Sequence, residues 1–144
     1  IRPNIYFSVP KVYQEIASRV QKDKNIEQIF FHPGLQFVFT AAAPLPLSIS
    51  DVFKNHGIPV VEGWGLTETS PCCTLTERSV NRKPGVVGHP LPGVEIKLGN
   101  EDEILVRGPN GMQGYLTIQK PLKKSWTPKG GSKPGILVQS RRKD

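Results

Sequence analysis

Two short apolar runs, LQFVFT at 35–40 and IPVVE at 58–62, bracket one amphipathic segment, SISDVFKNHG at 48–57. Strand, helix and strand in that order, with Gly57 to stop the helix and Ser48 or Ser50 to cap it, form the crossover unit of an open α/β sheet. Upstream, NIYFSVP reads as a short buried strand ended by Pro10. KVYQEIASRVQKDKN follows with Val12, Ile16 and Val20 at helical spacing. Residues 1–84 are therefore expected to give a mostly parallel sheet with flanking helices. From residue 85 the pattern changes to short alternating runs, GVVGHPLPGVEIKLG and DEILVRGP, broken by Gly, Pro and Asn. That predicts a small antiparallel β subdomain over 85–116. After Tyr115 the periodicity is lost, and 117–144 reads as an irregular basic tail.

The chain's 144 residues suffice for one modest domain with a real core. No apolar run approaches the roughly 18 residues of a membrane span, and no signal peptide is visible. A chain opening on Ile1 is expected to begin inside a longer protein. Its two cysteines are the neighbours Cys72 and Cys73, which fits a reducing, cytoplasmic setting better than a disulfide scaffold or a zinc site. The net charge of +7 suggests a nucleic-acid or membrane partner until its location is checked. Residues 1–116 hold 11 basic and 11 acidic residues, whereas 117–144 hold 8 basic residues and one acid. The excess sits wholly in the tail, which speaks against a uniformly basic nucleic-acid module.

The strongest chemical signal is EGWGLTETSP, Glu62 to Pro71. Ligands of open α/β sheets bind beyond the carboxyl ends of the strands, and this segment leaves such an end. Gly65 permits close approach of a ligand, and Trp64 offers a flat face to a base. Thr67 offers a hydroxyl to phosphate, and Glu68 a hard oxygen to magnesium. Spacing alone favours the plainer reading, a tight turn with a core Trp and a capping Thr. In FTAAAPLP, the small residues Ala41, Ala42 and Ala43 leave room for a ligand on the backbone, or simply pack closely. Arg107 reads as one side of a structural ion pair. His32, His56 and His89 show no metal-ligand spacing.

These segments occur in one order: IYFSVPKVYQEI, FTAAAPLP, GIPVVEGWGLTETSP, KPGVVGHPLPGVEIKL and EILVRGPNGMQGYL. Over roughly residues 1–116 the chain thereby resembles acyl-CoA synthetases of the adenylate-forming superfamily, of the long-chain fatty acid–CoA ligase type. The resemblance implies part of the large N-terminal α/β domain of such an enzyme. It implies an ATP- and magnesium-dependent ligase that makes an acyl-adenylate and then a coenzyme A thioester, from a medium- or long-chain fatty acid. By motif, Glu62, Gly63 and Gly65 would border the nucleotide, and Ala42, Ala43 and Pro44 would line the adenine through the backbone. Trp64 would stack on the base where the family more often has Tyr. Thr67 would touch the α-phosphate and Glu68 would hold magnesium, making these two the catalytic pair. Ala41 and Gly65 would border the acyl pocket. The family often has Ser-Gly-Gly-Ala-Pro where this chain has Thr40-Ala41-Ala42-Ala43-Pro44, and the extra methyls narrow that pocket.

Several family parts are not found in these residues: the Ser/Thr/Gly/Lys phosphate loop, the Thr-Gly-Asp ribose segment after GYL, and the lid domain with its lysine. The segment 24–35 looks short for the family, as though a helical stretch were absent. The chain alone is expected to be inactive or nearly so. The tail itself can be read one base out of frame. Trp126 is TGG and Thr127 begins AC, so the straddling triplet is GAC, aspartate. WTPKGGSKPG, residues 126–135, then permits DAEGWFKTGD, the family's own continuation. The alternatives are a non-enzymatic remnant with vestigial nucleotide affinity, or an anion-binding module acting through an authentic basic tail. Peripheral membrane contact and self-association are compatible with this reading; a specific nucleic-acid partner is not expected.

Overall fold

The computed structural model describes residues 2–83, 85–99, 103–112 and 136–137. The elements in order are β1 (Ile5–Phe7), α1 (Pro10–Val20), α2 (Lys24–Phe30), β2 (Phe37–Thr40), α3 (Leu47–Asn55) and β3 (Val60–Trp64). A single 3₁₀ turn follows at Thr67–Thr69, then β4 (Thr74–Leu75), β5 (His89–Pro90), β6 (Glu95–Leu98), β7 (Ile104–Arg107) and β8 (Ile136–Leu137). One sheet has the order β1-β2-β3-β4-β5 and the other β6-β7-β8. β1 pairs β2 and β2 pairs β3, both parallel, as the crossover pattern requires.

The chain forms two units that interleave in sequence. The first is Ile1–Gly63 with Leu75–His89, and the second is Trp64–Thr74 with Pro90–Asp144. The Trp64–Thr74 segment, which precedes residue 84 in sequence, groups with the strands after Pro90.

In the first unit, Tyr13, Leu35, Val38, Leu45, Phe53, Ile58 and Val60 form the core. Tyr13 meets Phe53 edge to face, with ring centroids 5.4 Å apart, a geometry aromatic pairs favour. The buried face of α1 is Tyr13, Ala17 and Val20, not the expected Val12, Ile16 and Val20. The rotation follows from the phenol of Tyr13, whose Oη lies 2.9 Å from Tyr6 O and 2.7 Å from Phe39 O. It ties α1 to β1 and β2, and burial pushes its pKa well above the ordinary tyrosine range. Pro10 does not end a strand so much as start this helix, at a position where a missing N–H costs nothing.

α2 is a seven-residue helix within the segment that looks short for the family. Its cap is Asp23, whose carboxylate accepts from Asn25 N at 2.8 Å and Ile26 N at 3.4 Å. α3 begins at Leu47 after Pro46 with no side-chain cap, so Ser48 and Ser50 lie inside the helix rather than at its cap. The β2–β3 register pairs Thr40, the last residue of β2, with Glu62, and β3 runs two residues further.

In the second unit, Cys73, Val94 and Val106 form a smaller core with Trp64, Leu91, Ile96 and Ile104 against it. β6 and β7 are antiparallel, pairing Glu95 with Arg107 and Leu98 with Ile104. β8 lies within the segment expected to be irregular, and it pairs antiparallel to β7. The rest of the tail, including 126–135, lies outside the described residues.

Candidate functional site

The first unit supplies the turn Ala41–Pro46, which leaves β2 beside the end of β3. Ala42, Ala43 and Pro44 are exposed, while Leu45 turns back into the core. Ala42 has φ of 75°, a left-handed conformation that an L-residue adopts only under constraint. Thr40 just before it is fully buried, and its Oγ1 has no hydrogen-bond partner. Glu62 constrains the turn directly: its Oε1 accepts from Leu45 N at 3.0 Å. Its Oε2 receives Arg82 Nη2 at 2.6 Å, and the two side chains are only 10% and 6% exposed. The Glu62 backbone is fixed as well, donating to Thr76 Oγ1 at 2.8 Å and accepting from Thr76 N at 2.9 Å. Glu62, assigned by motif to the nucleotide, thus has both carboxylate oxygens engaged inside the protein. Gly63 follows where a Cβ would come within 2.9 Å of the Phe39 ring.

The second unit supplies the turn after β3. A Cβ at Gly65 would lie 2.0 Å from Pro71 O and 2.7 Å from Cys72 Cα, so only glycine fits. Leu66 N donates to Thr69 Oγ1 at 2.9 Å, and Thr69 Oγ1 donates to Leu66 O at 3.0 Å. Cys73 N donates to Trp64 O at 2.7 Å and closes the turn. Asn110 Nδ2 donates to Cys72 O at 2.8 Å, and Met112 N to Glu68 O at 2.9 Å. These bonds leave Thr67 exposed and Glu68 partly exposed on one 3₁₀ turn. Trp64 is partly buried against the second core, so part of the ring does packing work. Burial raises the thiol pKa of Cys72 and of Cys73, which keeps both protonated and weakly nucleophilic.

The motif residues therefore divide between the units. Ala41, Ala42, Ala43, Pro44, Glu62 and Gly63 belong to the first; Trp64, Gly65, Thr67 and Glu68 belong to the second. Sequence reasoning missed Arg82, a lone arginine in a polar loop, with no spacing to mark its burial. A groove of about 390 Å³ in the first unit is lined by the 76–89 loop, including Thr76, Asn81, Arg82 and Lys83. None of the motif residues lines it.

Among the described residues no three His, Cys, Asp or Glu side chains gather as a metal site. A single accessible carboxylate such as Glu68 still fits magnesium, which keeps several waters and binds through one or two carboxylates and substrate phosphates. His32 is buried, its Nε2 3.1 Å from Pro3 O and its Nδ1 accepting from Gly34 N, while His56 stacks on Phe31. Arg107 pairs with Glu95, as the sequence suggested. No described helix is long and apolar enough to cross a membrane.

The first unit is an open parallel α/β unit whose candidate ligand groups stand at the carboxyl ends of β2 and β3, where such sheets bind their ligands. The chain belongs to the AMP-binding enzyme family, which matches residues 1–116. It is 30% identical over 112 residues to 2-succinylbenzoate–CoA ligase of Listeria innocua, covering 77% of this chain and 24% of that protein. It is 38% identical over 81 residues to FadD11 of Mycobacterium tuberculosis, named as a fatty-acid–CoA ligase, covering 56% and 14%. Among solved structures, a malonyl-CoA ligase with methylmalonyl-CoA and AMP bound superimposes with a TM-score of 0.63 at 32% identity, covering 79% of this chain and 26% of that one. The fold is accordingly that of the N-terminal domain of adenylate-forming enzymes. The chain spans about a quarter of the length of the 2-succinylbenzoate ligase it matches.

Proposed function

We propose that this chain is the portion of a fatty acid–CoA ligase that walls the adenine and presents the α-phosphate groups. The observation that carries the reading is the 3₁₀ turn presenting Thr67 and Glu68 directly after the carboxyl end of β3. In the reaction, a carboxylate oxygen attacks the α-phosphorus of ATP. A carbon-bound oxygen–phosphorus bond forms as the bond to pyrophosphate breaks. The thiol sulfur of coenzyme A then attacks the acyl carbonyl, loses its proton, and AMP leaves. Bound magnesium supplies positive charge against the phosphate oxygens. Of this chain's own residues, Glu68 offers the hard oxygen for that ion and Thr67 a hydroxyl to the α-phosphate. Trp64 presents its unburied part to the base. In the first unit, the exposed backbone of Ala42–Pro44 is assigned to the adenine by motif. Ala41 and Gly65 are each assigned to the acyl group by motif, and Glu62 acts through Leu45 rather than on the nucleotide. The fatty-acid class rests on the FadD11 similarity. Two free cysteines, Cys73 buried and Cys72 half-buried, fit a cytoplasmic setting.

Catalysis of this kind depends on several charges fixed around the transferring group, so Thr67 and Glu68 by themselves should support binding rather than turnover. Calorimetric titration with a non-hydrolysable acyl-adenylate analogue tests the reading in wild type. Titration with magnesium-ATP in wild type and Glu68→Ala tests the role of the turn. Saturable binding of the analogue, with the magnesium-ATP affinity weakened roughly tenfold by the substitution, is expected. Absence of analogue binding contradicts the reading. The tail's concentrated charge motivates two further outcomes. If the tail is out of frame, the gene carries GWFKTGD in the neighbouring frame. If it is an authentic anion-binding module, binding to anionic vesicles or nucleic acid is salt-sensitive and lost on deleting 117–144.

A further inference from the structure

Ala42 holds a backbone angle that suits glycine, and a strained residue persists only where its surroundings over-determine it. The surroundings here are specific. Leu45 N is held by Glu62 Oε1, and Glu62 Oε2 is held by Arg82 Nη2. Arg82 comes from the loop after β4, 37 residues beyond Leu45 in sequence. Its Nε and Nη1 are buried without a hydrogen-bond partner. A buried ion pair with donors left over is a poor source of stability. Such a pair can instead fix one geometry among several.

We infer that Arg82 is a positioning residue: it holds the Glu62 carboxylate on Leu45 N–H and so keeps the Ala41–Pro46 turn in its left-handed shape. The conformational claim stands on these bonds alone. Its consequence for nucleotide binding rests on the proposed function of the turn.

Amide hydrogen exchange on the 144-residue chain reads the two apart. Val38 N, bonded to Pro59 O at 3.0 Å in the central strand, serves as the internal reference. Arg82→Gln should speed exchange at Leu45 at least tenfold relative to Val38, and Arg82→Lys, which keeps the charge without the fork, should give a smaller rise. Glu62→Gln, which keeps an oxygen for Leu45 but loses the charge pair, should fall between wild type and Arg82→Gln. In an Ala42→Gly background the effect of Arg82→Gln should shrink, because the relaxed turn no longer needs the clamp. Exchange at Leu45 and Val38 rising in step overturns the inference, as does an unchanged effect in the Ala42→Gly background. If Arg82→Gln fails to fold, Arg82→Lys and Glu62→Gln carry the same ratio. Analogue titration of the same variants judges the function separately. Loss of Leu45 protection with no analogue binding by wild type supports the clamp and overturns only the nucleotide reading.

Discussion

Two turns leave the parallel strands, and they are built in opposite ways. The Gly65–Cys73 turn is held by its own backbone and by Thr69, with Asn110 and Met112 bonding its Cys72 and Glu68 carbonyls, and it closes so tightly that no Cβ fits at Gly65 although Ser70 too has a left-handed φ of 50°. The Ala41–Pro46 turn carries a methyl at a left-handed position and is held by a buried ion pair from a remote loop. The first closes mainly through bonds among its own residues, and a glycine announces it. The second is a tertiary solution that imposes a shape against local preference. A turn of the first kind should fail when a single atom is added, and one of the second kind when a distant side chain is removed.

The largest effect should come from breaking the clamp. Arg82→Ala leaves Glu62 charged, buried and unpaired, and should cost about 3–5 kcal/mol in urea unfolding. Replacing the pair together by Glu62→Gln with Arg82→Met should recover most of that loss; equal destabilisation by single and double variants would contradict the account. Adding a methyl to the other turn is the matching test. Gly65→Ala forces Pro71 away and should cost about 3 kcal/mol, measured the same way. Removing a methyl from the strained turn should do the reverse. Ala42→Gly relieves the left-handed strain but loosens the unfolded chain, so a gain of about 0.5–1 kcal/mol is expected. A loss there would show that the turn is not strained.

The smallest effect lies outside both turns and serves as their control. Burial pulls His56 down, but its bonds to Val52 O and to the Glu27 carboxylate outweigh this and leave its pKa above the ordinary histidine value. Its folded pKa therefore exceeds the unfolded one. The stabilisation is fully present below about pH 6.5 and is lost as pH rises through the raised folded value. Both partners are part-exposed, so a few tenths of a kcal/mol is expected between pH 6 and 8. Glu27→Gln should flatten that dependence, and neither turn variant should alter it.

The contrast also explains what could be read from the sequence. The crossover unit, the end of α3 before Gly57 and the alternation of β6 and β7 follow from local patterning, which the backbone obeys directly. The glycines and small residues of both turns mark where the chain comes close to itself. The clamp has no such mark: Arg82 looks like any arginine in a polar loop, and its burial depends on where that loop folds back. The face of α1 was misjudged because tyrosine counts as half polar, yet Tyr13 buries its ring and satisfies its hydroxyl on two carbonyls. Asp23 caps Lys24–Phe30, but two helical turns give too little periodicity to mark that helix in the sequence. The interleaving of the units follows from tertiary pairing and has no signal in composition.

The most direct measurement is an NMR titration of the labelled chain with AMP, following the Ala42 and Ala43 amides and, separately, the Trp64 indole N–H. The account predicts saturable shifts at these groups, with Leu105 and Val106 unmoved. No shift at the turns, or shifts confined to residues 117–144, would contradict it.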